Sequence, residues 1–124
     1  MSESEKAAEV CLLDDDISVL KSMRFLLLAE GFNVRAFSNP EEFLAHANEN
    51  QVAVLVTDVW MDKVTGLEVL ARLCAISPKT KVIVVTGRED SAARATATAI
   101  GPVAFFIKPF EDEKFIAAVR GALA

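Results

Sequence analysis

The chain has little of what marks several protein classes. Cysteine occurs twice, at Cys11 and Cys74, without the CxxC spacing of a zinc or dithiol redox site. Both thiols are expected in or near the core, where free cysteine usually resides. Glycine (5) and proline (4) are sparse, and 52% of the 124 residues are hydrophobic, which argues against disorder and fits one globular domain. No apolar run approaches the roughly 18 residues of a membrane span. The first residues, MSESEKAAE, lack the cationic-then-apolar order of a secretory signal, and the chain reads as cytoplasmic. Positive charge is in deficit, 13 Lys and Arg against 18 Asp and Glu. With a net charge of -5 and no basic stripe, direct nucleic-acid binding by this chain is not expected. The P-loop and glycine-rich dinucleotide patterns are both missing, so no nucleotide site is expected.

What is present is an alternation. Five short apolar runs, 9–13, 33–37, 52–57, 81–85 and 103–107, alternate with five helix-like segments, the pattern of an α/β domain with a parallel sheet. The nearly continuous apolar character suits strands covered by helices on both faces. The first helix is expected to open near Asp16, to carry Val19, Leu20, Met23, Leu26 and Leu27 at helical spacing, and to stop at Gly31. The second starts at Ser38-Asn39-Pro40-Glu41-Glu42, where a capping side chain, a first-turn proline and acidic residues coincide. A third follows Gly66, with Leu67, Leu70, Leu73 and Cys74 on one face, and ends before Pro78. A fourth, from about Asp90 to Ile100, is rich in Ala and Thr and should be loosely held. The fifth begins at Glu111-Asp112-Glu113 and presents Phe115, Ile116 and Val119. His46, near a helix end, reads as solvated.

Polar residues gather where the apolar runs stop. VCLL runs into Asp14-Asp15-Asp16, VAVLVT into Asp58, VIVV into Thr86-Gly87, and AFFI into Lys108-Pro109. In an open parallel sheet all strand C-termini lie along one edge, where ligands bind at the point at which the strand order reverses. Carboxylates held close together repel, so such a site keeps a proton or binds a cation. Magnesium suits all-oxygen ligands, taking one or two carboxylates directly and retaining waters. Asp58 is the candidate nucleophile, since a carboxylate can hold a phosphoryl group as an acyl phosphate. Phosphoryl transfer then needs alignment and positive charge, which a metal and Lys108 would supply while the Thr86 hydroxyl donates to a further oxygen.

In this order the motifs LLDDD, LVTDVWM, VIVVTG and FFIKPF resemble those of the receiver domain of two-component response regulators, over essentially the whole chain from Val10 to Ala124. The resemblance implies a flavodoxin-like, five-stranded parallel sheet of order 2-1-3-4-5 with helices on both faces. It divides the chain into a polar extension, 1–8, and a receiver domain, 9–124. It places Asp14, Asp15 and Asp58 with the Trp60 carbonyl around Mg2+, and makes Asp58 the phosphorylated residue. Thr86 becomes the switch hydroxyl, Lys108 the phosphate-binding lysine and Phe105 the rotating aromatic, with a cis bond expected before Pro109. It further implies a phosphoacceptor that takes part in its own phosphorylation and dephosphorylation rather than an enzyme. The expected partners are a sensor histidine kinase or phosphotransfer protein and a downstream target protein, with a homodimer left open and no membrane or nucleic-acid contact. Phosphorylation would switch the face made by the fourth helix, fifth strand and fifth helix.

Two departures from the family pattern stand out. Asp62 occupies the place, four residues after the phosphoacceptor, where the family usually has proline, and Gly101 is followed by Pro102. Asp62 is the one support for an alternative, a degenerate receiver used as a docking module without phosphorylation. A metal-dependent phosphatase is a second rival, but such enzymes carry a carboxylate two residues after the nucleophile, where Trp60 stands here.

Overall fold

The structure, a computed structural model, describes residues 8–58, 66–87, 95, 98 and 101–124, with the side chains of 66 and 67 left aside. The expectations for Trp60 and Asp62, and for the Asp90 to Ile100 helix apart from residues 95 and 98, lie outside the described residues. Five strands, β1 (Glu9–Leu13), β2 (Asn33–Phe37), β3 (Val54–Thr57), β4 (Lys81–Thr86) and β5 (Ala104–Ile107), form one parallel sheet in the order β2-β1-β3-β4-β5. Helices α1 (Ile17–Ala29), α2 (Pro40–Glu49) and α3 (Gly66–Ile76) and a C-terminal helix (Asp112–Leu123) cover it.

Strand alternation sorts the core into two layers. Cys11 and Leu13 of β1, Leu55 of β3 and Val82 and Val84 of β4 face one side, with Phe43 and Leu44 of α2 and Val69, Leu70 and Leu73 of α3. Val10, Leu12, Val54, Val56, Ile83 and Val85 face the other, against Leu20, Met23 and Leu27 of α1 and Phe115 and Val119 of the C-terminal helix. Register keeps the layers consistent: Cys11 pairs with Leu55, and Val84 with Phe105, all on the first side. The three central strands are buried almost throughout, whereas β2 and β5, at the edges, are largely half-buried.

Local chemistry sets the boundaries. The Asp16 carboxylate accepts from the Ser18 and Val19 N–H groups and opens α1. Gly31, at φ +88°, takes the left-handed turn that ends it. Asn39 accepts from the Glu41 and Glu42 N–H groups and opens α2, with Pro40 at its first position. β3 begins two residues later than expected, although Ala53 already pairs through its N–H with Glu9 and through its carbonyl with Lys81.

Two expectations are corrected. Cys74 is exposed, because the inward face of α3 is centred on Leu73 and flanked by Val69 and Leu70, and Cys74 lies further round the helix. His46 is not solvated: its side chain is 13% exposed, because its Nε2 bonds Glu9 at the start of β1 and its ring packs 5.2 Å from that of Phe37.

Candidate functional site

Asp14, Asp58 and Lys108 each stand one residue beyond a strand, and the backbone of each is still tied to a neighbouring strand. Asp14 N–H donates to Phe37 O (3.2 Å), Asp58 N–H to Leu13 O (3.2 Å) and Lys108 N–H to Thr86 O (2.7 Å), each acceptor the last residue of its strand. The sheet therefore fixes where these side chains start, and their ends meet. Lys108 Nζ donates to Asp14 Oδ2 at 3.0 Å and to Asp58 Oδ2 at 3.4 Å. The Lys108-Pro109 peptide is cis.

Burial falls across the site from Asp14 to Asp15. Asp14 is fully buried, Asp58 is 8% exposed and Thr86, the last residue of β4, 1%. Asp15 is exposed. Asp14 is held at both oxygens, Oδ1 accepting from the Asp16 N–H (2.9 Å) and Oδ2 from Lys108. Burial pushes the Asp14 carboxyl above its ordinary pKa, and the Asp16 N–H and Lys108 only partly offset this. For Lys108, burial pulls the ammonium down, but the hydrogen bond and charge of Asp14, joined by Asp58, outweigh it and leave the pKa raised. Among the described residues Lys108 is shared between the Asp14 and Asp58 carboxylates, and the side-chain ligand atoms offered to a cation are all oxygen. That donor set fits a hard dication such as magnesium, with the Asp15 carboxylate exposed beside the buried Asp14.

The sheet edge thus brings together Asp14, Asp58 and Lys108 by direct contact and places Asp15 and Thr86 at adjoining strand ends. Phe105 is half-buried on β5 opposite Val84 and packs on the α2/α3 side of the core. The sequence reading passed over Thr57. Its buried hydroxyl donates to the Asp58 carbonyl at 3.0 Å, fixing the backbone just behind the carboxylate. The only sequence signal was a hydroxyl residue closing an otherwise apolar strand.

Residues 10–120 match the model of the response regulator receiver domain. The chain is 33% identical over 120 residues to the response regulator protein TodT of Pseudomonas putida, covering 97% of this chain and 53% of that protein. It spans about half the length of the curated relatives it matches. The FixJ-N crystal structure superposes with a TM-score of 0.87 at 36% identity, covering 95% of this chain and 94% of that one. The solution structure of the beryllofluoride-activated NtrC4 receiver domain dimer gives a TM-score of 0.86 at 29% identity, covering 93% and 95%.

Proposed function

The chain belongs to the response regulator receiver domain family, and from that premise we propose that Asp58 is its phosphoacceptor, charged by a phosphohistidine on a sensor kinase or phosphotransfer protein. The observation that carries this reading is the Lys108 ammonium, held between the Asp14 and Asp58 carboxylates at the edge of the sheet. An Asp58 carboxylate oxygen attacks the phosphorus, the P–N bond breaks and the imidazole leaves with the bonding pair. Hydrolysis reverses the role of the carboxylate: water attacks phosphorus, the acyl-phosphate P–O bond breaks and inorganic phosphate departs.

Each neighbour has a part in this reaction. Lys108 already touches the Asp58 carboxylate and would follow the developing charge onto a phosphoryl oxygen. Thr57 keeps the Asp58 backbone in place while its side chain is modified. Magnesium, held by Asp14, Asp15 and Asp58 with the Trp60 carbonyl, would supply further positive charge to the phosphoryl oxygens. A phosphoryl group on Asp58 would draw the buried Thr86 hydroxyl toward it, vacating space into which the half-buried Phe105 ring turns. The consequence is a shift between two arrangements of the surface around β5, the C-terminal helix and the segment before β5, read by a downstream target. The beryllofluoride activation of the similar NtrC4 receiver supports phosphate mimicry as the trigger, and its dimer leaves self-association as one form of output.

We place the receiver unit at residues 9–124, preceded by a polar extension at 1–8, and its location in the cytoplasm, where such partners act. No helix among the described residues is long and apolar enough to cross a membrane. Incubation with a small acyl phosphate and magnesium, followed by intact-mass measurement, tests the reading. Wild type should gain one phosphoryl group and Asp58→Asn none; equal uptake by both would overturn the assignment, and uptake by neither would leave the docking-module alternative.

A further inference from the structure

A second cluster lies at the other end of β1. Glu9 and Cys11 project from the same face of the strand, toward α2, which brings His46 over them. Cys11 Sγ donates to Glu9 Oε1 at 3.3 Å, and His46 Nε2 bonds the same oxygen. One thiol sulfur, one imidazole nitrogen and one carboxylate oxygen all fall within 4.8 Å of one another. Cys11 is fully buried, while the Glu9 and His46 side chains are 17% and 13% exposed, leaving an approach from solvent.

We propose that Glu9, Cys11 and His46 form a binding site for a borderline-soft divalent ion, zinc by preference, remote from the phosphoacceptor pocket. The residue types favour this class of ion, since magnesium avoids sulfur and zinc takes S, N and O ligands together. Bonds of about 2.0–2.3 Å at tetrahedral angles put ligand atoms about 3.3–3.7 Å apart. The Cys11 sulfur, 3.3 Å from Glu9 Oε1, is already in that range, and a side-chain rotation moves the His46 nitrogen outward from its 2.5 Å contact with the same oxygen. Water from the Glu9/His46 side completes the fourth position.

Charge balance supports the same ion. In the metal-free cluster the Cys11 thiol and the His46 Nε2 converge on a single carboxylate oxygen. Metal binding releases the thiol proton to solvent and needs an unprotonated Nε2, so the ring proton sits on Nδ1 and the Asn50 amide, whose nitrogen lies 3.3 Å from Nδ1, must turn its oxygen toward the ring. A dication with one thiolate and one carboxylate is net neutral, suited to a half-buried place. Burial first, then the charge of Glu9 and its hydrogen bond, hold the Cys11 thiol well above its ordinary pKa, with Arg35 opposing. A coordinated dication reverses that preference by binding the thiolate directly. Arg35 Nε lies 3.6 Å from the second Glu9 oxygen, an ion pair on the side of the carboxylate away from the cluster.

Cobalt(II) titration of the whole chain, with zinc competition, tests the site, because cobalt bound to thiolate has a charge-transfer band that cobalt bound to oxygen lacks. Wild type should show the band saturating at one equivalent and bleaching with zinc. Cys74→Ser, which removes the exposed thiol, and Asp58→Asn should keep it. Cys11→Ser should abolish it, and His46→Gln, a half-buried change that spares the core, should weaken cobalt affinity at least tenfold. Zinc should also raise the unfolding midpoint of wild type but not of His46→Gln. Absence of the band in folded wild type, its survival in Cys11→Ser, or unchanged affinity in His46→Gln would overturn the proposal.

Discussion

Lys108 and Asp14, 94 residues apart in the chain, meet at 3.0 Å with the lysine side chain 22% exposed and the aspartate 1%. The contact is a partly desolvated ion pair whose partners arrive on the ends of β5 and β1. Removing one partner leaves a buried charge without compensation, which costs more than the pair itself is worth. Lys108→Met is therefore expected to lower unfolding free energy by about 3 kcal/mol, measured by urea titration at neutral pH. Added magnesium should recover part of that loss.

The pH dependence of Asp14 has a definite sign. Its folded-state pKa lies above the unfolded value of 3.8, so the folded protein binds the extra proton in the interval between them. Stability from this group is then fully present below pH 3.8 and is lost as pH rises through the raised folded value. Relative to Asp14→Asn, wild type should become more stable as pH is lowered from 7 toward 4. Urea midpoints of the two proteins at several pH values give the comparison, and a difference of opposite slope would contradict the burial argument.

Phe43 is fully buried beneath α2 and meets the Phe37 ring edge-on at 5.6 Å. Truncation to alanine removes a large transfer term and opens a cavity between helix and sheet. Phe43→Ala should cost about 3–5 kcal/mol in chemical denaturation.

The start of α2 offers a milder test. Asn39 Oδ1 satisfies the Glu41 and Glu42 N–H groups at 2.8 and 3.2 Å on the exposed surface. Asn39→Ala should cost about 1 kcal/mol and Asn39→Gly only a few tenths, with the fold and the Asp14, Asp58 and Lys108 cluster unchanged.

Much of this architecture was legible in the residues, for reasons the structure makes physical. Strands buried on both faces leave uninterrupted apolar runs, and the polar residues ending them could only collect on one edge once the strands were parallel. Asp16, Gly31 and Asn39 announced helix ends because their side chains, or the lack of one, act locally. What needed coordinates was long-range. His46 read as solvated because Glu9, its partner, is 37 residues away and invisible to helical periodicity. Cys74 read as buried because its four-residue spacing from Leu70 suggested the inner face, whereas packing centres that face on Leu73. Thr57 was passed over because its partner is a backbone carbonyl, which no sequence pattern marks.

The central claim is that one carboxylate of the acidic edge, that of Asp58, carries the phosphoryl group. Borohydride reduces an aspartyl phosphate to homoserine and leaves free carboxylates alone, so reduction after acyl-phosphate treatment, followed by peptide sequencing in a mass spectrometer, locates the bond. Homoserine at position 58, dependent on magnesium and diminished in Lys108→Met, is the predicted result. Homoserine at 14 or 15 with 58 unmodified, or none at any position in folded protein, would contradict it.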